Sequence, residues 1–324
     1  MKAFRFETVP KGLELVDVPV PTPGKNQVLV KVIASGLCHT DCNVISGKED
    51  LLFWQRPITL GHEVAGTISA LGPAVAEFSV GERVVCIIGL ENPITIHDVT
   101  TSAGIGYDGG YAEFAIFNTA KTLRIPEGVS FAQAAVATDA VATAYHAVVA
   151  EAQVSTSTLM AIIGLGGLGL LAVAIASLMG AKVYAIDLDS RKFAAALQSG
   201  ALLCAKSIEK FSGIRFDAIV DFAGAGVTTA SAVKATKSGG TVVLVSLASK
   251  ECRLPTHDLV AQGVTLKGCV GSSREEVEKV LQHMSKGELN PILEEIPFVQ
   301  VREGLDRLTK GTAVGRLYVD PSKA

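Results

Sequence analysis

Cys38-His39-Thr40-Asp41, followed by Gly61-His62-Glu63, places a thiol and an imidazole where one folded domain could present both to a metal. A borderline-soft ion such as zinc takes sulfur and nitrogen ligands. Further along lies Gly164-Leu165-Gly166-Gly167-Leu168-Gly169, a glycine spacing suited to a dinucleotide. Metal ligands and a redox-cofactor loop in one chain point to zinc-assisted hydride transfer to or from a carbinol carbon.

The glycine spacing alone is weak evidence, and its setting strengthens it. It follows a strand-like Leu159 to Ile163, opens a helix, and is succeeded by a second strand, Lys182 to Ile186, with Asp187 at its end. That is the roughly 30-residue strand-helix-strand unit the cofactor requires. Gly164 allows the tight turn, Gly166 lets the backbone approach the pyrophosphate, and Gly169 lets helix and strand pack closely. Gly167 and Leu168 complete the loop, and the phosphates meet the positive end of the helix. Asp187 is placed to accept hydrogen bonds from the adenosine ribose and to repel a 2′-phosphate, which favours NAD over NADP. Arg191 and Lys192 bring positive charge nearby, and Lys192 is counted with the cofactor-binding residues.

These residues need two kinds of support. At 324 residues the chain suits two domains sharing a cleft. The first 125 or so residues read as short strands separated by Gly and Pro: Gln27 to Ala34, Glu63 to Leu71, Arg83 to Gly89 and Gly110 to Phe117. From about Thr143 strands alternate with alanine-rich helices, in Leu159 to Ile163, Gly169 to Met179, Lys182 to Ile186, Ser190 to Ser199, Ala218 to Phe222 and Thr241 to Ser246. This alternation predicts an α/β domain with a parallel, doubly wound sheet. A helical stretch, Arg274 to Lys286, and a strand-like Val314 to Val319 then return to the β unit. The expected division is a discontinuous domain of residues 1–141 and 272–324, with residues 142–271 inserted.

Composition excludes several classes. With 29 Lys+Arg against 32 Asp+Glu the net charge is −3, and no basic block marks a nucleic-acid surface. Apolar runs are broken before the roughly 20 residues a bilayer span needs. Ala161 to Met179 comes nearest, and reads as strand, turn and buried helix. The first residues, Met1-Lys2-Ala3-Phe4-Arg5-Phe6-Glu7, lack the apolar core of a secretory signal, which predicts a cytoplasmic protein. Six scattered cysteines fit metal binding or burial better than a disulfide framework.

The stretches Gly36-Leu37-Cys38-His39-Thr40-Asp41, Gly61-His62-Glu63-Val64-Ala65-Gly66 and Gly81-Glu82-Arg83-Val84 closely resemble the zinc-type alcohol dehydrogenases of the medium-chain dehydrogenase/reductase family. The resemblance continues through Asp108-Gly109-Gly110-Tyr111-Ala112-Glu113, the dinucleotide loop, and Val314-Gly315-Arg316-Leu317-Tyr318-Val319-Asp320, so it covers nearly the whole chain. It implies a GroES-like β catalytic domain carrying an inserted Rossmann domain. It also implies reversible oxidation of an alcohol to an aldehyde or ketone with NAD, in a homo-oligomer, a dimer or tetramer.

By that resemblance Cys38 and His62 are the first two ligands of a catalytic zinc, and Asp139 stands where the family has its third, a Cys in many members and acidic in others. The plain alternative for Asp139 is a helix N-cap. Glu63 resembles the carboxylate behind the zinc, and Asp41 the acceptor that orients the metal-bound imidazole. Thr40 matches the hydroxyl that bonds the substrate oxygen and passes on its proton. His39 and Arg316 match positions that contact the cofactor phosphates.

Two departures stand out. Many members carry a second, structural zinc on a lobe with four close cysteines, and none lies between Cys86 and Gly110, so one zinc per chain is expected. Many relatives also have a His three residues after the hydroxyl, where this chain has Asn43, an amide that does not titrate. The proton then needs another exit, such as from the cofactor ribose to water, with His39 a candidate participant. Leu51, Leu52, Phe53 and Trp54 fall near the family's substrate entrance and suggest an apolar or aromatic alcohol. Two rival readings are a zinc-free enone or quinone reductase of the same superfamily and a noncatalytic NAD-binding sensor or structural protein.

Overall fold

Val28, Val30 and Val32 point to one side of the strand Gln27–Gly36, as the period of two requires, and are fully buried there. They pack with Val64, Ile68, Val84 and Phe117 from neighbouring strands. Each such side chain stabilises the fold by about 1.5–3 kcal/mol. The computed structural model describes residues 1–48 and 56–323. It divides into two units, Met1–Ala142 with Gly271–Ala324, and Thr143–Val270.

In the first unit Gln27–Gly36 is central to a seven-stranded sheet. Its order is Leu293–Ile296, Arg316–Val319, Gln27–Gly36, Glu63–Leu71, Arg83–Cys86 and Thr122–Arg124, with Phe114–Asn118 also paired to Gln27–Gly36. The antiparallel register sets Gly36 opposite Glu63. The chain leaving one strand toward Cys38 therefore lies beside the chain entering the other from His62. The C-terminal strand joins at the same end, with Tyr318 opposite Gly36. A three-stranded sheet of Leu13–Asp17, Lys2–Phe6 and Ile58–Thr59 lies apart. Phe4, Phe6, Ile58, Tyr111 and Leu317 share a second core cluster with Val301 and Leu305.

The helix His39–Ser46 starts immediately after Cys38 because Asp41 closes a capping box with the Cys38 backbone. It stops at Gly47, whose φ of 69° is left-handed and favours a residue without Cβ. A second capping box, Ser130 with Gln133, starts Phe131–Val136, which runs into a π-helical turn, Ala137–Val141. Between Cys86 and Gly110 the described chain forms the short helix Ile96–Thr100, capped by Thr95 and Asp98. The buried Lys121 ammonium ties this segment together, donating to Ile88 O at 2.6 Å, Asp98 O at 2.5 Å and Ser102 Oγ at 3.1 Å.

The second unit is a six-stranded parallel sheet in the order Leu203–Ala205, Lys182–Ile186, Leu159–Ile163, Phe216–Asp221, Thr236–Leu244 and Thr265–Gly268. Counted along the chain this is the 3-2-1-4-5-6 order of a Rossmann sheet. Gly167–Leu178 packs on Leu159–Ile163 and Lys182–Ile186, and Val227–Ala235 on Phe216–Asp221 and Thr236–Leu244. Met160, Ala161 and Ile162 are fully buried in succession, as a sheet covered on both faces demands. Among the described residues no helix is long and apolar enough to cross a membrane.

Several expected boundaries move. The strand expected from Gly110 begins only at Phe114, because the Gly109, Gly110 and Tyr111 N–H groups bond instead to Thr59, Gly61 and Leu60 carbonyls. The strand from Arg83 ends at Cys86, not Gly89, and the one expected at Thr241 begins at Thr236. The expected helix from Ser190 opens as a 3-10 turn capped by Asp189 and becomes α-helical at Phe193. The helix expected from Gly169 begins at Gly167, and the last strand starts at Arg316 after Gly315.

Candidate metal centre and dinucleotide loop

Cys38, His62 and Asp139 come together with one donor atom from each, all within 4.8 Å of one another. Cys38 Sγ lies 3.3 Å from Asp139 Oδ2, and His62 Nε2 lies 3.4 Å from the same oxygen. The two strand ends supply Cys38 and His62, and the π-helical turn supplies Asp139. A π turn packs one residue more per turn than an α-helix and often marks a functional position. Asp139 lies inside that turn, not at its N-cap, so the capping alternative does not describe it.

The ring of His62 is oriented as a ligand should be. Nε2 faces Cys38 and Asp139, while Nδ1 faces Asp41 Oδ1 at 3.5 Å. Both Nδ1 and Asp41 Oδ1 are buried without a closer hydrogen-bond partner. Burial alone would lower the His62 pKa, but the charges of Asp41, Cys38 and Asp139 hold it well above the ordinary value. Burial and the Asp139 charge raise that of the Cys38 thiol. Asp139, against the effect of burial, is held below the usual carboxylate range by His62. Thiol, imidazole and carboxylate donors converging in a largely buried site fit a zinc ion; binding would keep the thiolate and a neutral ring.

Glu63 is fully buried, directly after His62. One of its oxygens is ion-paired with the Arg316 guanidinium, and the other has no hydrogen-bond partner. Burial pushes its carboxyl up to about 7, against the pull of Arg316. Arg316 is itself only 4% exposed, with Nε unpartnered. The resemblance assigns it to the cofactor phosphates, whereas the bond present here is to Glu63. Thr40 Oγ1 lies 3.6 Å from Cys38 Sγ. His39, first residue of its helix, keeps much of its surface in solvent, yet desolvation of the ring by its surroundings, with the nearby Lys48 and Arg316 charges, lowers its pKa. Cys42 is buried and points its thiol to Leu305 O, with its pKa raised by burial to about 11.

The dinucleotide loop belongs to the second unit. Gly164 has φ of +89°, and a Cβ there would meet Ala223 N at 2.8 Å. A Cβ on Gly169 would fall 1.8 Å from Gly164 O, so helix and turn meet only through glycine. Gly166 opens onto space with nothing within 4 Å of a Cβ, and it precedes the helix Gly167–Leu178 without a side-chain cap. Open space at uncapped N–H groups is what a pyrophosphate occupies. Gly167 and Leu168 form the first turn of that helix and are partly buried. Asp187 accepts from Leu165 N at 2.7 Å and Asp189 N at 2.8 Å, and Lys192 Nζ is 3.0 Å away. Arg191 is held by Asp189.

Sequence reasoning did not single out the Tyr111 hydroxyl, 2.7 Å from Asp41 Oδ2, although it quoted Tyr111 within a motif. It also passed over Asp221, whose buried carboxylate accepts from Ala223 N, Gly224 N, Thr228 Oγ1 and Thr229 Oγ1. Its position at the end of a buried strand was the available signal. Leu51, Leu52, Phe53 and Trp54 lie outside the described residues.

The two units match two described families. Residues 24–127 match the alcohol dehydrogenase GroES-like domain, and residues 167–286 the zinc-binding dehydrogenase domain. An alcohol dehydrogenase of Geobacillus stearothermophilus is 33% identical over 98% of this chain and 99% of its own length. Among solved structures, acetophenone reductase from Geotrichum candidum in complex with NAD is 30% identical, with a TM-score of 0.89 over 99% of this chain and 97% of that one. A cobalt- and zinc-bound thermostable alcohol dehydrogenase from Pyrobaculum aerophilum is 27% identical, with a TM-score of 0.87 and 99% of both chains covered. Fold and site together define a zinc-binding, dinucleotide-dependent dehydrogenase. The chain belongs to the zinc-type alcohol dehydrogenases of the medium-chain dehydrogenase/reductase family.

Proposed function

We propose that this enzyme, a zinc-dependent oxidoreductase, reversibly transfers hydride between an alcohol and NAD with its metal held by Cys38, His62 and Asp139. The observation that carries the reading is the convergence of those three donor atoms within 4.8 Å. When bound, zinc supplies Lewis acidity that lowers a hydroxyl pKa from about 16 toward about 7, and NAD supplies the hydride acceptor.

The thiolate and the carboxylate together match the charge of a divalent ion while His62 stays neutral. Replacing a second thiolate by Asp139 makes the ligand set harder. Asp41 holds the imidazole by Nδ1, and Arg316 holds Glu63 behind it. We assign Arg316 to that carboxylate first and to the cofactor phosphates second. Thr40 would relay the alcohol proton, giving up its own hydroxyl proton as it accepts that of the substrate, and His39, whose pKa is lowered by desolvation and nearby positive charge, is the candidate to receive it where Asn43 cannot. Gly164, Gly166, Gly167, Leu168 and Gly169 cradle the pyrophosphate, and Asp187, braced by Lys192, takes the ribose and selects NAD over NADP.

We place the catalytic domain at residues 1–141 and 272–324 and the NAD-binding domain at 142–271. The substrate is a small alcohol, or the corresponding carbonyl in reverse. The low net charge and absent basic block argue against a nucleic-acid partner; a cytoplasmic location and assembly as a dimer or tetramer are what the family resemblance suggests. The direct test is elemental mass spectrometry on protein purified without added metal, with NAD reduction across a panel of alcohols. One zinc per chain and NAD-linked turnover are expected. Full activity without metal would overturn the reading.

A further inference from the structure

Asp41 does three things at once. One oxygen accepts the Cys38 N–H at 3.4 Å and the Tyr111 hydroxyl at 2.7 Å, and the other faces His62 Nδ1 at 3.5 Å. The first contact fixes the main chain of one proposed ligand, and the last orients the ring of another. A free carboxylate could rotate and serve only one of them, so something must set its plane.

Tyr111 is built to do so. Its side chain is fully buried, its N–H bonds Leu60 O at 2.9 Å, and its carbonyl accepts Phe4 N at 2.8 Å. The ring lies against Gly61, where an added Cβ would come within 2.6 Å of Tyr111 Cδ1, one residue before His62. The hydroxyl has a single proton and two acceptors, Asp41 Oδ2 at 2.7 Å and Gly36 O at 3.3 Å, and the shorter contact takes it. Burial and the Asp41 charge hold the Tyr111 pKa well above its ordinary value, so the group remains a donor across working pH.

We infer that Tyr111 is a positioning residue of the metal centre: its hydroxyl fixes the Asp41 carboxylate, and through it the His62 ring and the Cys38 backbone. This rests on the zinc reading of Cys38, His62 and Asp139. Partners at this remove from a metal typically change affinity 10- to 100-fold when lost.

The test is a double-mutant cycle on the full chain, with Tyr111→Phe, Asp41→Asn and the pair, read as apparent zinc Kd by competition with a chromophoric chelator. Wild type should hold one zinc. Tyr111→Phe should bind it about 10-fold more weakly, and adding it to Asp41→Asn should change Kd by no more than about 2-fold, because one carboxylate transmits both effects. Cobalt-loaded Tyr111→Phe should keep its thiolate charge-transfer band and shift its ligand-field bands, while NADH binding stays unchanged. Wild-type zinc affinity in Tyr111→Phe, or effects that multiply in the pair, would overturn the inference. Absence of zinc from wild type would instead overturn the underlying metal reading, and with it this one. If Tyr111→Phe does not fold, 4-aminophenylalanine at 111 keeps a donor in place; affinity within about 3-fold of wild type is expected, and a 10-fold loss would count against the proposal.

Discussion

Gly36 and Glu63 face each other across an antiparallel strand pair, and a methyl group on Gly36 would sit 1.9 Å from Glu63 Oε2. Glu63 cannot retreat easily, since it is fully buried and tied to Arg316. Gly36→Ala should destabilise the unit by about 1–3 kcal/mol, the usual range for overpacking, and weaken the metal site beside it. Hydrogen exchange of the Gln27–Gly36 amides measures the first effect and zinc retention the second. No change in either would show that the carboxylate steps aside freely.

Asp139 is the proposed ligand with the least sequence support, and its replacement separates metal binding from a local structural role. Asp139→Ala should lose at least about 10-fold in zinc affinity, whereas Asp139→Cys, which restores a donor of a different kind, should retain the metal. Chelator competition on both variants decides the matter. Equal loss in the two would assign Asp139 to the helix and not to the ion.

Asp187 braces the dinucleotide loop through Leu165 N and is the proposed ribose contact. Asp187→Ser should cut kcat/KM for NAD by about 10- to 100-fold, the worth of a hydrogen bond to a charged group, and narrow the preference over NADP. Steady-state kinetics with both cofactors provide the measurement. An unaltered NAD value would place the ribose elsewhere.

Burial raises the thiols of Cys42 and Cys86 to about 11, while Cys252 is exposed. At pH 8 only roughly a thousandth of a thiol with that pKa is ionised, and the thiolate is the reactive form. Iodoacetamide should therefore modify Cys252 and spare Cys42 and Cys86, as read by peptide mass spectrometry. Comparable labelling of all three would mean the core opens on the timescale of the reaction.

Lys121 donates three hydrogen bonds from one ammonium, two of them fully buried. Lys121→Met leaves the Ile88 and Asp98 carbonyls and the Ser102 hydroxyl without that donor, which should cost about 3 kcal/mol locally. Faster amide exchange around residues 88–102 is expected, with the parallel sheet of the other unit unaffected.

Much of this was legible in advance because it is local. The glycine loop announced itself by its position between two apolar strands, and Asp187 by its place at the end of the second. Cys38 and His62 were visible as a pair of soft ligands, each in a glycine-flanked turn. What escaped depends on contacts that no window of sequence contains. Arg316 meets Glu63 across 253 positions, and only the pairing of the last strand with Gln27–Gly36 brings them together. Tyr111 read as one aromatic residue in a motif until the fold put its hydroxyl on Asp41. The π turn at Ala137–Val141 has no period of its own in a run of alanines, so Asp139 could be aligned with a ligand but not aimed at one.

The anchoring of residues 88–102 by a lysine also separates two needs that a metal-braced lobe would join. Zinc scarcity would silence the chemistry while leaving this part of the protein its shape, because an ammonium cannot be stripped by a chelator or lost through oxidation of cysteines. Metal-free enzyme is then expected to keep this segment ordered, with amide exchange around residues 88–102 the same with and without zinc.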